Sequence, residues 1–477
     1  MHEAAKHNMA KTSDLFRLTA TAAVKLLKAG KVSPRELLDA AEARTKAVDG
    51  AVNALPTLCF ERARARAKKM KKTSLLAGLP IAIKDLTDVA GVRTTYGSPI
   101  YADNVPAQSN ILVERLEANG ALVVAKSNTP EFGAGANTFN PVFGATRNPW
   151  DTRLSAAGSS GGAAVALATG QVWLAEGSDL GGSLRTPAAF NSVVGLRPSP
   201  GRIARAPTNL PYDILGVNGP MARNVSDLAL MLDAMVGDDP RDPIALPPPE
   251  TSFTAALKRA KRPQRVAFSP DLGICTVDPE VASICAEAAA GFSALGAEVT
   301  EAAPDFSGAY EAFQTLRALR FAAAREPLLK THRDKLKPDV IWNIEEGLKL
   351  TGPAIAHAER LRAALMKRVA AFFAEYDLLV CPAMQAKPFP VEKTYVDAIA
   401  GKKMKTYIDW IAITFAISVT GCPALAVPAG FGADGLPVGL QIMGPPRSEA
   451  RLLAAGKQLE DMLGIAEQLP IDPRVRH

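Results

Sequence analysis

The sequence predicts an α/β fold built on a parallel sheet, and two observations carry this prediction. Short β-branched runs at residues 78–86 and 121–128 flank a helical pattern at residues 111–119, and strand–helix–strand order is typical of parallel sheets. The composition is 48% hydrophobic and 22% charged over 477 residues, which supplies ample apolar material for a core. Disordered and fibrous classes of protein are therefore excluded.

The elements before the first of these strands are predicted to be helices. Ser33 and Glu36 form a capping-box pattern around Pro34, and proline is favoured at the first position of a helix. We expect helices over much of the first 70 residues.

The stretch at residues 155–183 is rich in glycine and serine and has the composition of a linker, but its apolar runs argue against a flexible one. AAVALA follows Gly162, and VWLA occupies residues 172–175. Because flexible linkers usually lack such apolar order, we predict a tight helix and a strand bounded by glycine turns.

The second half of the chain begins with a surface segment at residues 237–263, which are rich in Pro, Asp and Arg. A strand near residue 264, a long amphipathic helix at residues 279–299 and further helices at residues 311–375 are predicted after it. The buried strand YDLLVCPA and two apolar strands, PALAVPAG and LPVGLQIMG, then rejoin the main sheet.

This order of elements predicts three parts within one continuous domain. They are an N-terminal helical region at residues 1–70, a core formed by residues 71–236 and 376–477, and a smaller, more variable helical lobe at residues 237–375.

The charge distribution points neither to a nucleic acid nor to a membrane. The net charge is +7, but the basic residues are spread along the chain apart from KKMKK at residues 68–72, which a solvated helix face explains. No apolar run reaches the roughly 18 residues that a membrane-spanning helix needs, and the first twenty residues do not form a secretory signal. The protein is therefore predicted to be cytoplasmic.

Histidine and cysteine are scarce, which argues against several kinds of catalytic site. The five histidines are His2, His7, His332, His357 and His477, and three of them lie close to a terminus. A Ser-His-Asp triad or a multi-histidine metal site would have to recruit the other two, which lack ligand spacing. The five cysteines are scattered and include no C-x-x-C pair, so neither a disulfide framework nor a zinc site is expected.

Three elements of the sequence could carry chemistry. They are Lys84 at the end of a predicted buried strand, the turn GSSGG with Ser159 and Ser160, and the turn SDLGGS that ends at Ser183. Taken singly, the lysine could form an ion pair with Asp85, and the serines could cap helices. A phosphate-binding loop is also conceivable, although neither glycine-rich phosphate motif is present around these turns.

Taken together, the three elements fit nucleophilic acyl chemistry without histidine. A serine nucleophile needs a neighbouring base, and a lysine can be one if burial lowers its pKa. The turn that leads to Ser183 would direct several successive backbone N–H groups into one small space, which is what an oxyanion needs. Its glycines keep side chains out of that space.

Residues 156–199 closely resemble the signature of the amidase signature family, the serine hydrolases with a Ser-cisSer-Lys triad. The resemblance continues upstream in GLPIAIKD, AKSNTPEF and FGATRNPWD and downstream in GCPALAVPAGFGADGLPVGLQIMGP, and it covers most of the chain except residues 237–340. It implies the fold of that family, a large mixed, mostly parallel twisted sheet covered by helices on both faces, with a smaller helical lobe.

Carried over by position, the resemblance makes Ser183 the nucleophile and Lys84 the base. Ser159 becomes the bridging serine, preceded by a cis peptide bond after Gly158. The family pattern separates the two catalytic serines by 24 residues, which selects Ser159 rather than Ser160.

The resemblance also implies supporting residues. The N–H groups that bind the oxyanion would come from Leu180, Gly181, Gly182 and Ser183. The supporting side chains would be Ser160, Asp179, Arg185 and Ser178, the last of which replaces a more usual threonine. No metal and no organic cofactor is implied.

The predicted function is hydrolysis of C–N bonds in carboxylic amides, with apolar or aryl amides favoured and with esters and carbamates (urethanes) as further substrates. The partners would be a small-molecule amide or carbamate and water, with the protein a monomer or homodimer. Variable stretches with few charges suggest an apolar pocket, and its predicted residues are Phe132, Ile203, Trp342, Tyr407 and Trp410. Arg202 and Arg205 lie in a loop that either approaches the site or is exposed to solvent.

Two other functions remain open at this point. One is the glutaminase (A) subunit of a tRNA-dependent amidotransferase, although this chain has Thr186 where that subunit characteristically has glutamine. The other is a non-catalytic scaffold that keeps the fold, since a fold alone does not prove activity.

Overall fold

The computed structural model describes residues 12–259 and 261–476, so His2, His7 and His477 lie outside the described residues. The strands are β1 Thr57–Leu58, β2 Leu79–Lys84, β3 Ala121–Ser127, β4 Phe139–Asn140, β5 Gly144–Ala145, β6 Arg147–Asn148, β7 Asp151–Ser155, β8 Leu174–Asp179, β9 Val194–Arg197, β10 Val217–Ala222, β11 Arg265–Phe268, β12 Glu298–Glu301, β13 Leu378–Pro382, β14 Ala398–Ile399, β15 Lys402–Lys403, β16 Ala424–Phe431 and β17 Pro437–Met443. The α-helices are α1 Ala20–Lys28, α2 Pro34–Val52, α3 Phe60–Ala67, α4 Ile111–Ala118, α5 Gly161–Ala168, α6 Arg185–Asn191, α7 Val225–Met235, α8 Phe253–Ala256, α9 Pro279–Ala294, α10 Ala309–His332, α11 Pro338–Leu348, α12 Gly352–Phe372, α13 Ala412–Thr420 and α14 Glu449–Leu463.

One sheet of 11 strands organises these elements, in the order β1-β3-β2-β8-β10-β9-β16-β17-β13-β11-β12. The predicted α/β class with a large mixed sheet is confirmed. The expectation that parallel pairs predominate is wrong, because among the strands of residues 12–259 and 261–476 only β2–β3, β2–β8, β11–β12 and β11–β13 are parallel. The middle of the sheet is antiparallel and includes a hairpin between β16 and β17 that needs no helical crossover. Apolar runs in a sequence do not encode strand direction.

Most of the predicted elements have the expected type. The capping box at Ser33 and Glu36 begins α2, and α4 connects β2 to the parallel strand β3. The helix predicted after Gly162 is α5. The strand predicted at residues 172–175 is β8, which starts two residues later and continues through a polar segment to Asp179.

Helices pack on both faces of the sheet, which can be read from β16 and β17. Leu425 of β16 points to α14, where it lies against Gly456. Gly439 of β17 pairs with Pro428, so its position faces the side opposite to Leu425, and there it lies against Ala189 of α6. Small residues on both sides let each helix approach the sheet closely.

The segment predicted as a smaller lobe contributes both to the sheet and to a separate group of helices. Strands β11 and β12 extend the sheet beside β13, while α10 packs against α11 and α12. The division into a core and a lobe stays a prediction. None of the helices in the described ranges is long and apolar enough to cross a membrane.

Candidate active site

A cavity of about 480 Å³, hereafter the main cavity, opens where β2 and β8 end. These two strands are parallel neighbours, so their carboxyl ends meet at the same edge of the sheet. Both predicted serines, Ser159 and Ser183, line the main cavity. The two serines predicted to be catalytic therefore lie at one place in the fold.

Lys84 is the last residue of β2, and its side chain is fully buried. Its Nζ lies 2.7 Å from Ser159 Oγ, 2.8 Å from Ser160 Oγ and 3.1 Å from Ser178 Oγ. The first two serines precede α5, whereas Ser178 belongs to β8. The structure thus brings three of the predicted residues together around the lysine.

The adjacent serines Ser159 and Ser160 differ in their other contacts. Ser160 Oγ donates to the carbonyl of Ser178 at 3.3 Å, and its N–H donates to the carbonyl of Ser183 at 3.2 Å. Ser160 does not line the main cavity, whereas Ser159 does. The Gly158–Ser159 peptide bond is cis, as the resemblance implied. Ser159 is therefore the serine that faces both the lysine and the cavity.

The surroundings of Lys84 favour its neutral form. Burial lowers the pKa of Lys84 from 10.5 to about 7, against the opposing effect of the carboxyl groups of Glu176 and Asp179. A neutral amine can accept a proton from a hydroxyl group at hydrogen-bond distance, whereas an ammonium group cannot. Near neutral pH a substantial fraction of the lysine is therefore able to act as a base.

The alternative that Lys84 forms an ion pair with Asp85 is not what the structure shows. The Asp85 carboxylate lies 3.5 Å from the Nζ of Lys126 in β3 and accepts the hydroxyl of Thr95 at 2.6 Å. Both charged side chains of this pair are fully buried. Asp85 therefore has its own cation, and Lys84 remains available to the serines.

Glu176 lies beside Lys84 and was not among the predicted residues. Its fully buried carboxyl group accepts the backbone N–H of Lys84 at 3.0 Å and the side-chain amide of Asn218 at 2.7 Å. Burial raises the pKa of Glu176, against the hydrogen bonds that it accepts. An acidic residue inside the apolar run VWLAEG is the signal that could have identified it.

The loop between β8 and α6 holds the predicted oxyanion donors. In the part of the chain that the structure describes, the N–H groups of Leu180, Gly181 and Ser183 donate to no protein acceptor, and all three residues line the main cavity. Gly182 differs from the prediction, because its N–H donates to Asp179 Oδ1 at 3.0 Å. The predicted set of four free donors is thus reduced to three.

Gly182 has a different role in this loop. Its φ of +123° is accessible to glycine but strained for other residues, and an added Cβ would lie 2.2 Å from Thr414 Oγ1. The same hydroxyl donates to the carbonyl of Gly181 at 2.7 Å. Thr414 of α13 therefore orients the loop, and only glycine fits beside it.

Asp179 holds the loop between β8 and α6 in place through a buried charge cluster with Arg185 and Arg197. Its carboxylate lies 3.1 Å from Arg185 and 3.2 Å from Arg197, and it also accepts the N–H of Leu184 at 3.1 Å. Burial alone would raise the pKa of Asp179, but the two guanidinium groups hold this pKa well below its usual range. The carboxylate therefore stays ionised and anchors both ends of the loop.

Arg185 links the loop to distant parts of the chain. Its guanidinium donates to the carbonyl of Thr414 at 2.9 Å, to Ser418 Oγ at 2.8 Å and to Gln441 Oε1 at 2.7 Å. These acceptors lie on α13 and β17. The predicted supporting role of Arg185 is thus a set of contacts that joins three elements.

The predicted pocket residues fall into two groups. Phe132 and Tyr407 line the main cavity, whereas Ile203, Trp342 and Trp410 do not. Trp410 is fully buried in the core, where its ring packs against Phe190 and Phe389, and Ile203 is also a core residue. Trp342 packs edge-on against the ring of Tyr407. Apolar character alone could not separate cavity walls from core.

The expectation of few charges around the cavity is wrong. Four arginines line it, namely Arg205, Arg317, Arg320 and Arg325. Arg202 does not line the cavity and pairs with the buried Glu449 at 3.3 Å. Neither loop arginine is exposed to solvent. Three of the four cavity arginines lie on α10, in a segment whose position relative to the serines the sequence does not reveal.

The two described histidines lie away from the cavity. His332 is half-buried at the end of α10, and His357 lies 3.3 Å from Glu311. All five cysteines are unpaired. Within residues 12–259 and 261–476, no group of three or more His, Cys, Asp or Glu side chains is arranged to hold a metal ion.

Comparison with known proteins extends the resemblance over nearly the whole chain. The family model described as Amidase matches residues 36–453. The chain is 36% identical to an acylamidase of Rhodococcus erythropolis, over 97% of this chain and 99% of that protein. It is also 34% identical to the A subunit of the glutamyl-tRNA(Gln) amidotransferase of Chloroflexus aggregans, over 93% of this chain and 96% of that protein.

Solved structures share the fold. A bacterial aryl acylamidase of the amidase signature enzymes has a TM-score of 0.87 at 27% identity, covering 95% of this chain and 99% of that one. A 6-aminohexanoate cyclic dimer hydrolase has a TM-score of 0.88 at 28% identity, covering 96% and 99%. Since sequence and fold agree over almost the full length, this chain belongs to the amidase signature family of enzymes.

Proposed function

We propose that this protein is an amidase that hydrolyses linear carboxylic amides through an acyl-enzyme on Ser183. The observation that carries the proposal is the buried Lys84 Nζ, 2.7 Å from Ser159 Oγ at the edge of a cavity that Ser183 also lines. A desolvated lysine next to a serine is a base without histidine.

In the proposed mechanism, neutral Lys84 takes the proton of Ser159 while Ser159 takes the proton of Ser183. Ser183 Oγ then attacks the carbonyl carbon, and the C–O double bond becomes an oxyanion in a tetrahedral intermediate. As the intermediate collapses, the C–N bond breaks, and Ser159 returns a proton to the leaving nitrogen. Water attacks the ester through the same relay and releases the acid.

The oxyanion would be bound by the free N–H groups of Leu180, Gly181 and Ser183. Because these donors are held by the anchored loop, they need no reorganisation when the charge develops. Gly182 is assigned to shaping the loop, since its N–H already serves Asp179. Ser160 and Ser178 would keep Lys84 aimed at Ser159 through their own contacts with Nζ.

Esters and carbamates belong to the same proposal. Their carbonyl groups form similar tetrahedral oxyanions, so the same donors would stabilise them. The aromatic rings that line the main cavity favour substrates with an apolar or aryl part, and these are Tyr96, Tyr101, Phe132, Phe313, Phe321 and Tyr407. The similarity to an acylamidase and an aryl acylamidase supports this choice.

A substrate panel tests the proposal. Purified protein is assayed with a 4-nitroanilide, an aliphatic amide, an aryl ester, an aryl carbamate and glutamine, and Ser183 is probed with a fluorophosphonate followed by peptide mass spectrometry. We expect release of aniline and modification of Ser183. A protein that hydrolyses nothing and is not modified would be a scaffold, and the proposal would be wrong.

Glutaminase activity in an amidotransferase complex is the second candidate, favoured by the 34% identity to a protein of such a complex. Thr186, which lies at the start of α6 and lines the main cavity, stands where the glutaminase characteristically has glutamine. Release of ammonia from glutamine, with no activity on anilides, would favour this candidate.

For the amidase we propose action in the cytoplasm as a monomer or homodimer, without nucleic acid or membrane partners.

The pH dependence of kcat/KM should follow the protonation of Lys84. Only the neutral amine can accept a proton, so activity should be low in acid, rise with a midpoint near pH 7 and level off on the alkaline side. The measurement is kcat/KM for a neutral anilide between pH 5 and pH 9, a range in which that substrate does not titrate. An optimum in acid would contradict the role of Lys84 as a base.

Two controls accompany this profile. Glu176→Gln should move the midpoint to lower pH, because the Glu176 carboxylate raises the pKa of Lys84. Chelation with EDTA should leave the profile unchanged. A midpoint that is the same in both proteins would show that the profile reports another group, and activity restored only by added zinc would contradict the proposed mechanism.

A further inference from the structure

One wall of the main cavity is formed by a single face of α10. Phe313, Arg317, Arg320, Phe321 and Arg325 line it, at spacings of three, four and eight residues that keep them on one side of a helix. This wall therefore combines two aromatic rings with three guanidinium groups. The proposed reaction uses none of these three arginines.

Arg325 has few partners in the protein. Its Nη1 donates to the carbonyl of Ala324 at 3.3 Å, and its guanidinium lies 4.5 Å from the ring centre of Phe132. In the described ranges no carboxylate lies within ion-pair distance of it. A half-buried guanidinium stacked on one ring, with most of its N–H groups free, is an open site for an anion.

The arginines near Arg325 carry more positive charge than the nearby carboxylate neutralises. Arg320 and Arg205 share a single carboxylate, that of Asp213, which contacts Arg320 and lies 3.8 Å from Arg205. Burial, together with the charges of Arg205 and Arg325, lowers the pKa of Arg320 to about 9. The charges of Arg205 and Arg325 thus both act on Arg320, and an anion beside Arg320 and Arg325 would offset that repulsion.

Arg317 contributes a further unbalanced charge. It is only 3% exposed, and its partners are neutral, namely Tyr407 at 2.8 Å, Gln314 at 2.5 Å and Asn343. Its Nε has no partner in the described part of the chain. Buried charges are normally paired, so the wall carries more cationic charge than the protein balances.

The remaining carboxylates of the cavity do not supply the balance. Asp179 is already paired with Arg185 and Arg197, and Asp88 accepts the hydroxyl of Tyr96 at 2.6 Å without forming an ion pair in the described ranges. Asp88 is therefore one unpaired carboxylate in the cavity, against the two guanidinium groups of Arg317 and Arg325, which form no ion pair in the described ranges.

We propose that the substrates of this enzyme carry a carboxylate in addition to the scissile amide, and that Arg325, with Arg320 beside it, binds that carboxylate. This inference rests on the proposed function and specifies its substrate class. It replaces the sequence-based expectation of an uncharged pocket with an amide that has an aryl or apolar part and an acidic end.

The position of Arg325 fits a substrate that spans the cavity. Phe132, on which the guanidinium stacks, is followed by Gly133, where an added Cβ would lie 3.5 Å from Ser159 Oγ. Arg325, Phe132 and both serines line the same cavity, so the anion site and the serine pair face one shared space. A carboxylate bound there leaves the amide of the same molecule within reach of Ser183.

Two pairs of substrates of matched shape test the proposal. The first compares glutaric acid mono(4-nitroanilide) with its terminal carboxamide, which places the charge on the acyl side. The second compares acetanilides with a 4-carboxylate or a 4-carboxamide, which places it on the amine side. Release of the amine gives kcat/KM, and calorimetric binding to the Ser183→Ala variant gives Kd without turnover.

We expect at least one pair to show a preference for the carboxylate of about 10- to 100-fold, in kcat/KM and in Kd, the range expected for a hydrogen bond to a charged group. Arg325→Gln should remove that preference and leave kcat/KM and Kd for the carboxamide within about threefold of the wild-type values. Arg325→Lys should restore part of the preference for the carboxylate. The matched control is Arg360→Gln, at an exposed position of α12. It should leave kcat/KM and Kd unchanged for both the carboxylate and the carboxamide.

Equal binding of carboxylate and carboxamide in both pairs would overturn the proposal, as would an Arg325→Gln variant that loses both substrates to the same extent. The failure of the proposed function looks different. In that case no anilide is hydrolysed, while the binding measurements still report whether the cavity prefers an anion.

Discussion

Ser183→Ala should abolish turnover, with a loss in kcat of about six orders of magnitude, as is typical when a serine nucleophile is removed. Without Oγ no acyl-enzyme can form, and the remaining N–H donors only bind the substrate. Lys84→Ala and Ser159→Ala should each lose about 10²- to 10⁴-fold, the contribution of a proton-transfer group. The measurement is kcat for a 4-nitroanilide at pH 8, where Lys84 is mostly neutral.

The two serine variants should keep their thermal midpoints, since each change removes a single oxygen atom from a residue that lines the cavity. Ser293→Ala, at an exposed position of α9, is the control for the substitution itself and should keep full activity. A Ser183→Ala protein that retains more than about a tenth of the activity would remove Ser183 from the role of nucleophile. Activity that survives in Lys84→Ala would assign the base to another group.

Of the substitutions proposed for this protein, Asp179→Ala should lower the free energy of unfolding most, by about 3–5 kcal/mol. Asp179 is 1% exposed, and its removal leaves the fully buried Arg185 and Arg197 without their shared carboxylate. The N–H groups of Gly182 and Leu184 lose their acceptor as well. Urea denaturation measures the stability, and activity at low temperature measures the loss of loop geometry.

The control for this change is Asp397→Ala, which breaks an exposed ion pair with Lys393 and should leave the urea midpoint unchanged.

The contribution of Asp179 to stability should also depend on pH. Because its pKa is held below the unfolded value, its contribution is complete above about pH 4 and is lost as the pH falls further. Equal stability of wild type and Asp179→Ala at neutral pH would contradict the anchoring role.

The sequence identifies the parts of this site that depend on local spacing. Lys84 ends a β-branched run, and the two glycine-rich turns place their serines next to predicted elements, so strand ends and turns could be assigned together. The structure brings Ser159 and Ser160 to the lysine as that reasoning requires, and it adds Ser178, which only the family resemblance had named. The sheet was predictable for the same reason, since apolar runs bounded by turns are local patterns.

The parts that depend on long-range packing were not predictable. Trp410 is as apolar as Phe132, yet one fills the core and the other lines the cavity, because only the tertiary fold decides which face of an element is covered. The arginines of α10 look in sequence like a solvated helix face. Direction in the middle of the sheet was missed because it follows from connections rather than composition.

The contacts of Arg185 have a consequence for the order in which the site can form during synthesis. The serines and the lysine are all made before α13, but Thr414, Ser418 and Gln441, which hold Arg185, come more than two hundred residues after it. A ribosome-bound chain that stops before Ala412 contains every reacting group and lacks the framework that holds the loop after β8. We therefore expect such a nascent chain to be inert, and we expect hydrolysis only once the final segment has emerged and folded onto the sheet.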